Sequence, residues 1–222
     1  MRSICSILLI SISHLAMAQQ SYLALGDSYT IGEGLDVSKS WPHQLVNQLN
    51  DKGFNFNTPE IIATTGWRTD ELIHSIEKRL EDDQQFDLVS LLIGVNNQYQ
   101  EKSFNKYKRE FKKLLKESIS RSKTGHKAVF VVSIPDYSVT PYAEENDKTE
   151  AIKDLIVYNA YAQKLCKKYD VTFYDITKLS AQLSQNIDML NEDKLHPSEK
   201  QYKTWIDSFL PQLINQIQLL QH

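Results

Sequence analysis

Three residues that could together activate a nucleophile stand in distant parts of this 222-residue chain: Ser28, Asp193 and His196. A serine hydroxyl is a weak nucleophile unless a neighbouring imidazole accepts its proton. The imidazole in turn needs a partner that fixes its tautomer and stabilises its charged form. Asp193 precedes His196 by three residues, which a turn can bring together, and Pro197 favours an extended His196. We therefore interpret His196 as the base for Ser28 and Asp193 as the carboxylate that orients it.

Other interpretations of the pair are open at this point. His196 could be an ordinary surface histidine, and Asp193 and His196 could be metal ligands, although no third ligand has a convincing spacing. The remaining histidines are weaker candidates for a base because they fall in the N-terminal segment, in amphipathic helices, in a charged turn or at the chain end: His14, His43, His74, His126 and His222.

Acyl transfer also needs hydrogen-bond donors for the oxyanion that develops on the attacked carbonyl. Gly66 offers a backbone N–H that a carbonyl can approach closely, because glycine has no side chain. Asn96 offers a side-chain amide, and Ser28 can add its own N–H. Taken singly, Gly66 and Asn96 are equally typical of ordinary turns. All three residues follow predicted strands, and open α/β sheets bind ligands at the carboxyl ends of their strands.

The periodicity of apolar residues predicts the elements that must position these groups. Short apolar runs predict buried strands at residues 22–25, 60–63, 86–93, 128–134 and 171–175. Helical spacing predicts helices at residues 41–52, 69–80, 103–123 and 148–169, and a last helix capped by Ser198. The repeated strand–helix order predicts an α/β fold, a parallel sheet with helices on both faces. Residues 135–147 are predicted to form a long loop that acts as a lid or wall.

Residues 1–18 have the pattern of a secretory signal peptide. A positive start at Arg2 precedes an apolar run over residues 4–12, and Ala16-Met17-Ala18 is a small-residue cleavage pattern. We expect cleavage after Ala18 and a secreted or periplasmic protein, with a membrane anchor as the alternative. Residues 19–222 then suit a single α/β domain. Cys5 would leave with the signal peptide, and the remaining Cys166 lies in a helical pattern typical of a buried thiol.

The overall charge excludes a chain built to bind nucleic acid. The net charge is −3, and it becomes −4 without Arg2, since 24 basic residues then face 28 acidic ones. Residues 101–127 differ, with ten bases and three acids. We expect peripheral contact with anionic lipid or polysaccharide through the stretch from Lys102 to Lys127, although a solvated outer helix face explains the same bases.

Four short blocks together resemble the motifs of the GDSL, or SGNH, hydrolases. Gly26-Asp27-Ser28-Tyr29 resembles the first block, with tyrosine in place of the usual leucine. The other three, in the family's order, are Thr65-Gly66-Trp67-Arg68-Thr69, Gly94-Val95-Asn96-Asn97 and Asp193-Lys194-Leu195-His196-Pro197. Asn97 stands where the family commonly has aspartate. One block is weak support, but four in order over nearly all of residues 19–222 are strong.

The resemblance implies a three-layer α/β/α flavodoxin-like sandwich with a five-stranded parallel sheet. It implies Ser28 as nucleophile, His196 as base and Asp193 as its carboxylate partner, with Ser28, Gly66 and Asn96 forming the oxyanion hole. It implies no metal and no organic cofactor.

The expected function is therefore that of a serine esterase or acylhydrolase that acts through an acyl-enzyme on Ser28. Its substrate could be an acylated carbohydrate, a lysophospholipid, a short-chain ester or a thioester. Four aromatic residues could line a site for either a sugar or an acyl chain: Trp41, Trp67, Tyr137 and Tyr142. The alternatives are an acyltransferase that uses the same residues and a carbohydrate- or lipid-binding protein that has lost turnover.

Overall fold

One parallel sheet forms the centre of the molecule. The computed structural model describes residues 19–220, so the expected signal peptide at residues 1–18 and the terminal His222 lie outside the described residues. The five strands are β1 (Tyr22–Gly26), β2 (Glu60–Ala63), β3 (Leu88–Leu92), β4 (Val129–Val132) and β5 (Thr172–Tyr174), arranged in the order β2-β1-β3-β4-β5. Every neighbouring pair is parallel, as predicted.

Helices cover both faces of this sheet. They are α1 (Ser28–Ile31), α2 (Trp41–Asp51), α3 (Thr69–Arg79), α4 (Val95–Tyr99), α5 (Phe104–Ser120), α6 (Pro141–Glu145), α7 (Ile152–Tyr169), α8 (Thr177–Ser184) and α9 (Glu199–Gln218). In one layer α5 packs between α3 and α7, and in the other α9 contacts α2 and α8. The three-layer α/β/α sandwich is confirmed.

The central strand explains the strong apolar run in the sequence. All five residues of β3 are buried, and the strand lies between β1 and β4. A parallel strand covered on both faces has no solvent side, so its residues do not alternate between apolar and polar. Its one polar side chain, Ser90, is hydrogen-bonded to the Tyr22 hydroxyl at 2.7 Å between the oxygens. The prediction of a central strand from residues 86–93 is therefore confirmed.

Four helices were not predicted from the sequence. The first motif block contains the start of α1 and the third contains the start of α4, the predicted loop at 135–147 contains α6, and the polar region after β5 contains α8. Five of the eight residues of α8 are polar, and its two leucines, Leu179 and Leu183, pack against the core. Two apolar residues one turn apart give too weak a periodicity to stand out in a polar segment.

Two predictions about buried side chains have different outcomes. Trp41 is buried in the core, with its ring 6.2 Å from that of Phe130, so its proposed place in a substrate site is wrong. Cys166 is buried as predicted, and burial raises the pKa of its thiol to about 12. No helix within residues 19–220 is both long enough and apolar enough to cross a membrane.

Candidate active site

A tight turn between β1 and α1 places Ser28 at the carboxyl edge of the sheet. Ser28 is the first residue of α1, and Asp27 caps the helix by accepting the Tyr29 N–H at 3.1 Å. Glycine is required at position 26 for space, since an added Cβ would overlap the Thr30 hydroxyl and approach the Leu92 carbonyl oxygen to 2.6 Å. The turn therefore fixes the position of the serine before any other loop contributes.

The fourth motif block folds into a turn that holds His196 against Asp193. The two are joined by a 2.5 Å contact between His196 Nδ1 and Asp193 Oδ2. The other carboxylate oxygen accepts the backbone N–H groups of Leu195 and His196, each at 2.9 Å. Lys194 completes the turn in the left-handed region, with φ of 58°. The sequence prediction that a short turn joins this aspartate to this histidine agrees with the geometry.

The charge on Asp193 is stabilised within that turn. Partial burial acts to raise the pKa of its carboxyl group, but hydrogen bonds from the His196 ring and from the N–H groups of Leu195 and His196 outweigh it. The net result is a pKa below the usual value for aspartate. An ionised carboxylate next to Nδ1 places the ring proton on that nitrogen and leaves Nε2 as the basic atom.

One cavity of about 160 Å³ brings most of the predicted site residues together. Its lining consists of Ser28, Tyr29, Thr65, Gly66, Val95, Asn96, Tyr99, Tyr137, Tyr142, Leu195 and His196. Asp193 does not line the cavity, but it is bonded to His196, which does. Residues from the first, second, third and last motif blocks therefore meet in one place.

The two predicted donors besides Ser28 are held by hydrogen bonds of their own. Asn96 Nδ2 donates to the Trp67 carbonyl at 3.0 Å, which fixes the amide and leaves its second N–H for another acceptor. Gln100 Nε2 donates to the Gly66 carbonyl at 3.1 Å. Gly66 has φ of 82°, while an added Cβ would meet nothing within 4 Å, so glycine is favoured there for its backbone conformation.

Asn97 bonds to the start of α3. Its Oδ1 accepts the Thr69 N–H at 3.0 Å, and its Nδ2 donates to the Thr69 hydroxyl at 2.8 Å. That hydroxyl donates to Glu110 Oε2 at 2.6 Å, so it can only accept from position 97. An amide supplies the donor that a carboxylate lacks. This network gives a physical reason for asparagine where the family commonly has aspartate.

Tyr29 packs against the base. Its ring centroid lies 5.3 Å from that of His196 and 6.4 Å from that of Trp205. Tyr29 is 3% exposed, so it fills the space behind the imidazole. From the sequence, Tyr29 was noted only because it replaces the family's usual leucine. Its contact with the His196 ring could not be predicted, since it joins residues far apart in the chain.

Besides Tyr29, three tyrosines line the cavity beyond the reactive groups. Tyr137 and Tyr142 were predicted at the site, whereas Tyr99 was not, although it lies one helical turn after Asn96 in α4. The Tyr99 and Tyr142 hydroxyl oxygens are 2.7 Å apart. This hydrogen bond, together with partial burial, raises the pKa of Tyr142 to about 12. The side chain of Trp67 lies in a surface groove beside α3, so its predicted place in the site is wrong.

Within residues 19–220, no group of three or more His, Cys, Asp or Glu side chains is arranged to hold a metal ion. The alternative in which Asp193 and His196 are metal ligands has no third ligand among these residues.

Comparison with known proteins identifies the family. The model of the GDSL-like lipase/acylhydrolase family matches residues 24–204, which include all four motif blocks. The chain belongs to the GDSL-like lipase/acylhydrolase family. This GDSL-family protein is thus an ester-hydrolysing enzyme of the serine hydrolase type. Among curated proteins, none matches its sequence significantly.

Solved structures share the fold of this GDSL-family enzyme. TesA superposes with a TM-score of 0.67 at 16% identity, over 89% of this chain and 99% of that one. Axe2, an acetylxylan esterase from Geobacillus stearothermophilus, gives 0.69 at 16% identity, over 87% and 94%. The psychrotrophic esterase EstA from Pseudoalteromonas sp. gives 0.63 at 13% identity, over 88% and 99%. At these sequence identities the similarity shows a shared fold and nothing about activity.

Asp27 makes the stability of the enzyme depend on pH. Burial raises the pKa of its carboxyl group to about 7, and the N–H groups of Tyr29 and Gly94 offset that effect only in part. The pKa of an unfolded aspartate is near 4. Because the folded-state pKa is higher, Asp27 stabilises the folded protein fully below pH 4, and this contribution is lost as the pH rises to about 7. Relative to Asp27→Asn, the wild-type free energy of unfolding should therefore fall over this range, by roughly 4 kcal/mol at most.

Urea unfolding at pH values from 4 to 8 measures this difference. Asp82→Asn, which changes an exposed carboxyl group, is the control and should give a curve parallel to that of the wild type. Parallel curves for Asp27→Asn and the wild type would show that Asp27 is not the titrating group.

Proposed function

We propose that the protein is a serine esterase that cleaves carboxylic esters through an acyl-enzyme on Ser28. The observation that carries the proposal is the single cavity in which Ser28 and His196 meet, with Asp193 bonded to His196 Nδ1 at 2.5 Å. A serine, an imidazole and an orienting carboxylate are the parts that acyl transfer needs. The family and the fold agree with this chemistry.

In the first half-reaction, His196 Nε2 takes the proton from the Ser28 hydroxyl as Oγ attacks the ester carbonyl carbon. The charged imidazole is stabilised by Asp193, which stays ionised because its pKa is lowered. The negative charge that develops on the carbonyl oxygen is held by the N–H of Ser28, the N–H of Gly66 and the Asn96 amide. The Ser28 N–H is available because the first residues of a helix have no acceptor within it.

Collapse of the tetrahedral intermediate breaks the bond to the alcohol. The leaving oxygen takes the proton from His196 Nε2, and the acyl group stays on Ser28. Water then attacks the acyl-enzyme with His196 again as base, which releases the acid and restores the Ser28 hydroxyl. Acylated carbohydrates, lysophospholipids and short-chain esters all contain the bond that this cycle cleaves, and a thioester would follow the same steps.

Hydrolysis of p-nitrophenyl butyrate tests these roles. Ser28→Ala should reduce hydrolysis to the background rate and abolish labelling by a fluorophosphonate probe. Asn96→Ala should lower kcat by roughly 10²–10³, as for a lost oxyanion donor. Asn105→Ala, an exposed asparagine on α5, is the matched control and should retain wild-type turnover. A Ser28→Ala protein that still hydrolyses the ester would refute the proposed nucleophile.

The same measurements separate the alternatives. A binding protein of this fold would neither label at Ser28 nor turn over the ester. An acyltransferase would label, but in the presence of a sugar or lipid acceptor its main product would be the new ester rather than the acid.

We also propose that the enzyme is exported, with cleavage after Ala18 and release outside the cell or into the periplasm. The support is the charged start, the apolar run and the small residues within residues 1–18. N-terminal sequencing of the exported protein should begin at Gln19. A protein that keeps Met1 in the cytoplasm would contradict the proposal.

A further inference from the structure

The size of the cavity limits what can lie beside Ser28. Its volume is about 160 Å³. An apolar cavity of about 150 Å³ holds one benzene molecule, which has six non-hydrogen atoms. An acetyl group has three such atoms and a butyryl group five, whereas an octanoyl group has nine. The space next to the nucleophile therefore matches a short acyl group, provided that its walls do not move.

The walls are held by contacts between α4 and the segment around α6. The Tyr99 and Tyr142 hydroxyl groups bond directly across the two helices. The Tyr137 hydroxyl donates to Gln98 Oε1 at 2.8 Å. Lys148 Nζ lies 5.3 Å from the centroid of the Tyr99 ring, within range of a cation–π contact. These contacts tie the segment that was predicted as a lid or wall to α4, as expected of a wall.

The chemistry of the walls favours an acyl chain over a sugar. Apart from the reactive groups, the lining is formed by Thr65, Val95, Leu195 and four tyrosines. The Thr65 hydroxyl donates to the Glu33 side chain. The Tyr99 and Tyr142 hydroxyls bond to each other, and the Tyr137 hydroxyl donates to Gln98. A sugar placed here would leave hydroxyl groups without the hydrogen bonds that water gave them, whereas an alkyl chain loses none.

We propose that the hydrogen-bonded pair Tyr99–Tyr142 determines acyl specificity by bounding this cavity, so that the enzyme accepts acetyl to butyryl groups and rejects long chains. The inference rests on the proposed esterase function. Tyr142 is the better position to vary, because it lies on α6, outside the third motif block and its helix.

Hydrolysis of p-nitrophenyl acetate, butyrate, hexanoate and octanoate tests the proposal. The wild-type enzyme should have a kcat/KM for butyrate at least 100-fold above that for octanoate. Tyr142→Ala removes the ring and should lower this ratio at least tenfold, through a rise in kcat/KM for octanoate. Tyr142→Phe keeps the ring, and the Tyr137–Gln98 and Lys148–Tyr99 contacts still hold the wall, so its ratio should stay within threefold of the wild type.

Two results would overturn the specificity proposal while the esterase function stands. One is a wild-type enzyme whose kcat/KM for octanoate equals that for butyrate. The other is a folded, active Tyr142→Ala protein with the wild-type ratio. If the wild type hydrolyses none of the four esters and Ser28 does not react with the fluorophosphonate, the proposed function fails, and the specificity proposal fails with it.

A basic groove lies between α5 and α7 and shares no lining residue with the active-site cavity. Its volume is about 960 Å³, and its basic lining residues are Lys108, Lys112, Lys164, Lys167 and Lys168. Five lysines thus line a groove to which, among the described residues, no carboxylate contributes. The enzyme as a whole is acidic, so this concentration of positive charge is local.

Four of the basic residues of α5 lie on two different sides of the helix. On the side facing α3, Lys106 pairs with Asp70 at 2.6 Å and Lys113 pairs with Glu77 at 2.7 Å. Lys108 and Lys112 line the groove on the side facing α7. Val157, in the lining of the groove, is 49% exposed, and its neighbour on α7, Ile156, is 58% exposed.

We infer that this groove and the exposed edge of α7 bind the surface of an anionic lipid bilayer. Lysines attract anionic headgroups, and aliphatic side chains enter the boundary between headgroups and acyl chains. An acidic polysaccharide would use the lysines but would leave Ile156 and Val157 in water. The combination of charge and aliphatic surface therefore favours lipid.

Co-sedimentation with vesicles of pure phosphatidylglycerol or pure phosphatidylcholine tests this surface. The wild type should bind phosphatidylglycerol at least tenfold more tightly, and 0.5 M salt should release it. Lys164→Glu/Lys168→Glu should weaken that binding at least tenfold. Lys52→Glu/Lys200→Glu changes the net charge equally on the α2–α9 side and should bind within threefold of the wild type.

Equal loss of binding in both double variants would refute a localised surface. Absence of phosphatidylglycerol binding would overturn the proposal, and binding to polygalacturonate in its place would identify a polysaccharide partner. Ester hydrolysis in solution serves as the folding control for each variant.

Discussion

Burial of the sheet on both faces is the constraint on which the rest of the molecule depends. Strands β1, β3 and β4 are almost wholly apolar because helices cover them on each side. The buried hydroxyl of Ser90 is tolerated because it bonds to Tyr22. Polar chemistry is therefore concentrated where the strands end, and parallel strands bring those ends to one edge.

At that edge the loops stabilise one another through the segment after α1. The Glu33 side chain accepts a hydrogen bond from the Thr65 hydroxyl, and the Glu33 carbonyl accepts one from Asn191 Nδ2 at 2.9 Å. The first connects this segment to the Gly66 turn, and the second connects it to the loop that carries the base. Ser28, Gly66 and His196, the proposed nucleophile, oxyanion donor and base, are thus positioned by a shared set of contacts, which would reduce the reorganisation needed during reaction.

In the proposed function and specificity, chemistry and selectivity come from different parts of this arrangement. The reactive residues follow β1, β2 and β3 or lie in the turn before α9, whereas much of the cavity wall comes from α4 and the α6 segment. Substitution in the wall can therefore change which ester enters without moving the serine or the histidine. Such a division suits a fold that this chain shares with proteins named as an esterase and an acetylxylan esterase.

The sequence by itself determined the parallel sheet, its central strand and the meeting of four motif blocks. Apolar runs such as residues 86–93 and the spacing from Asp193 to His196 are local patterns, so they can be read without the fold. The tertiary structure decided which aromatic rings reach the cavity. Trp41 and Trp67 lie outside the cavity, whereas Tyr99, which was not predicted as a site residue, lines it. A ring's neighbours depend on how distant helices pack, and no local pattern encodes that packing.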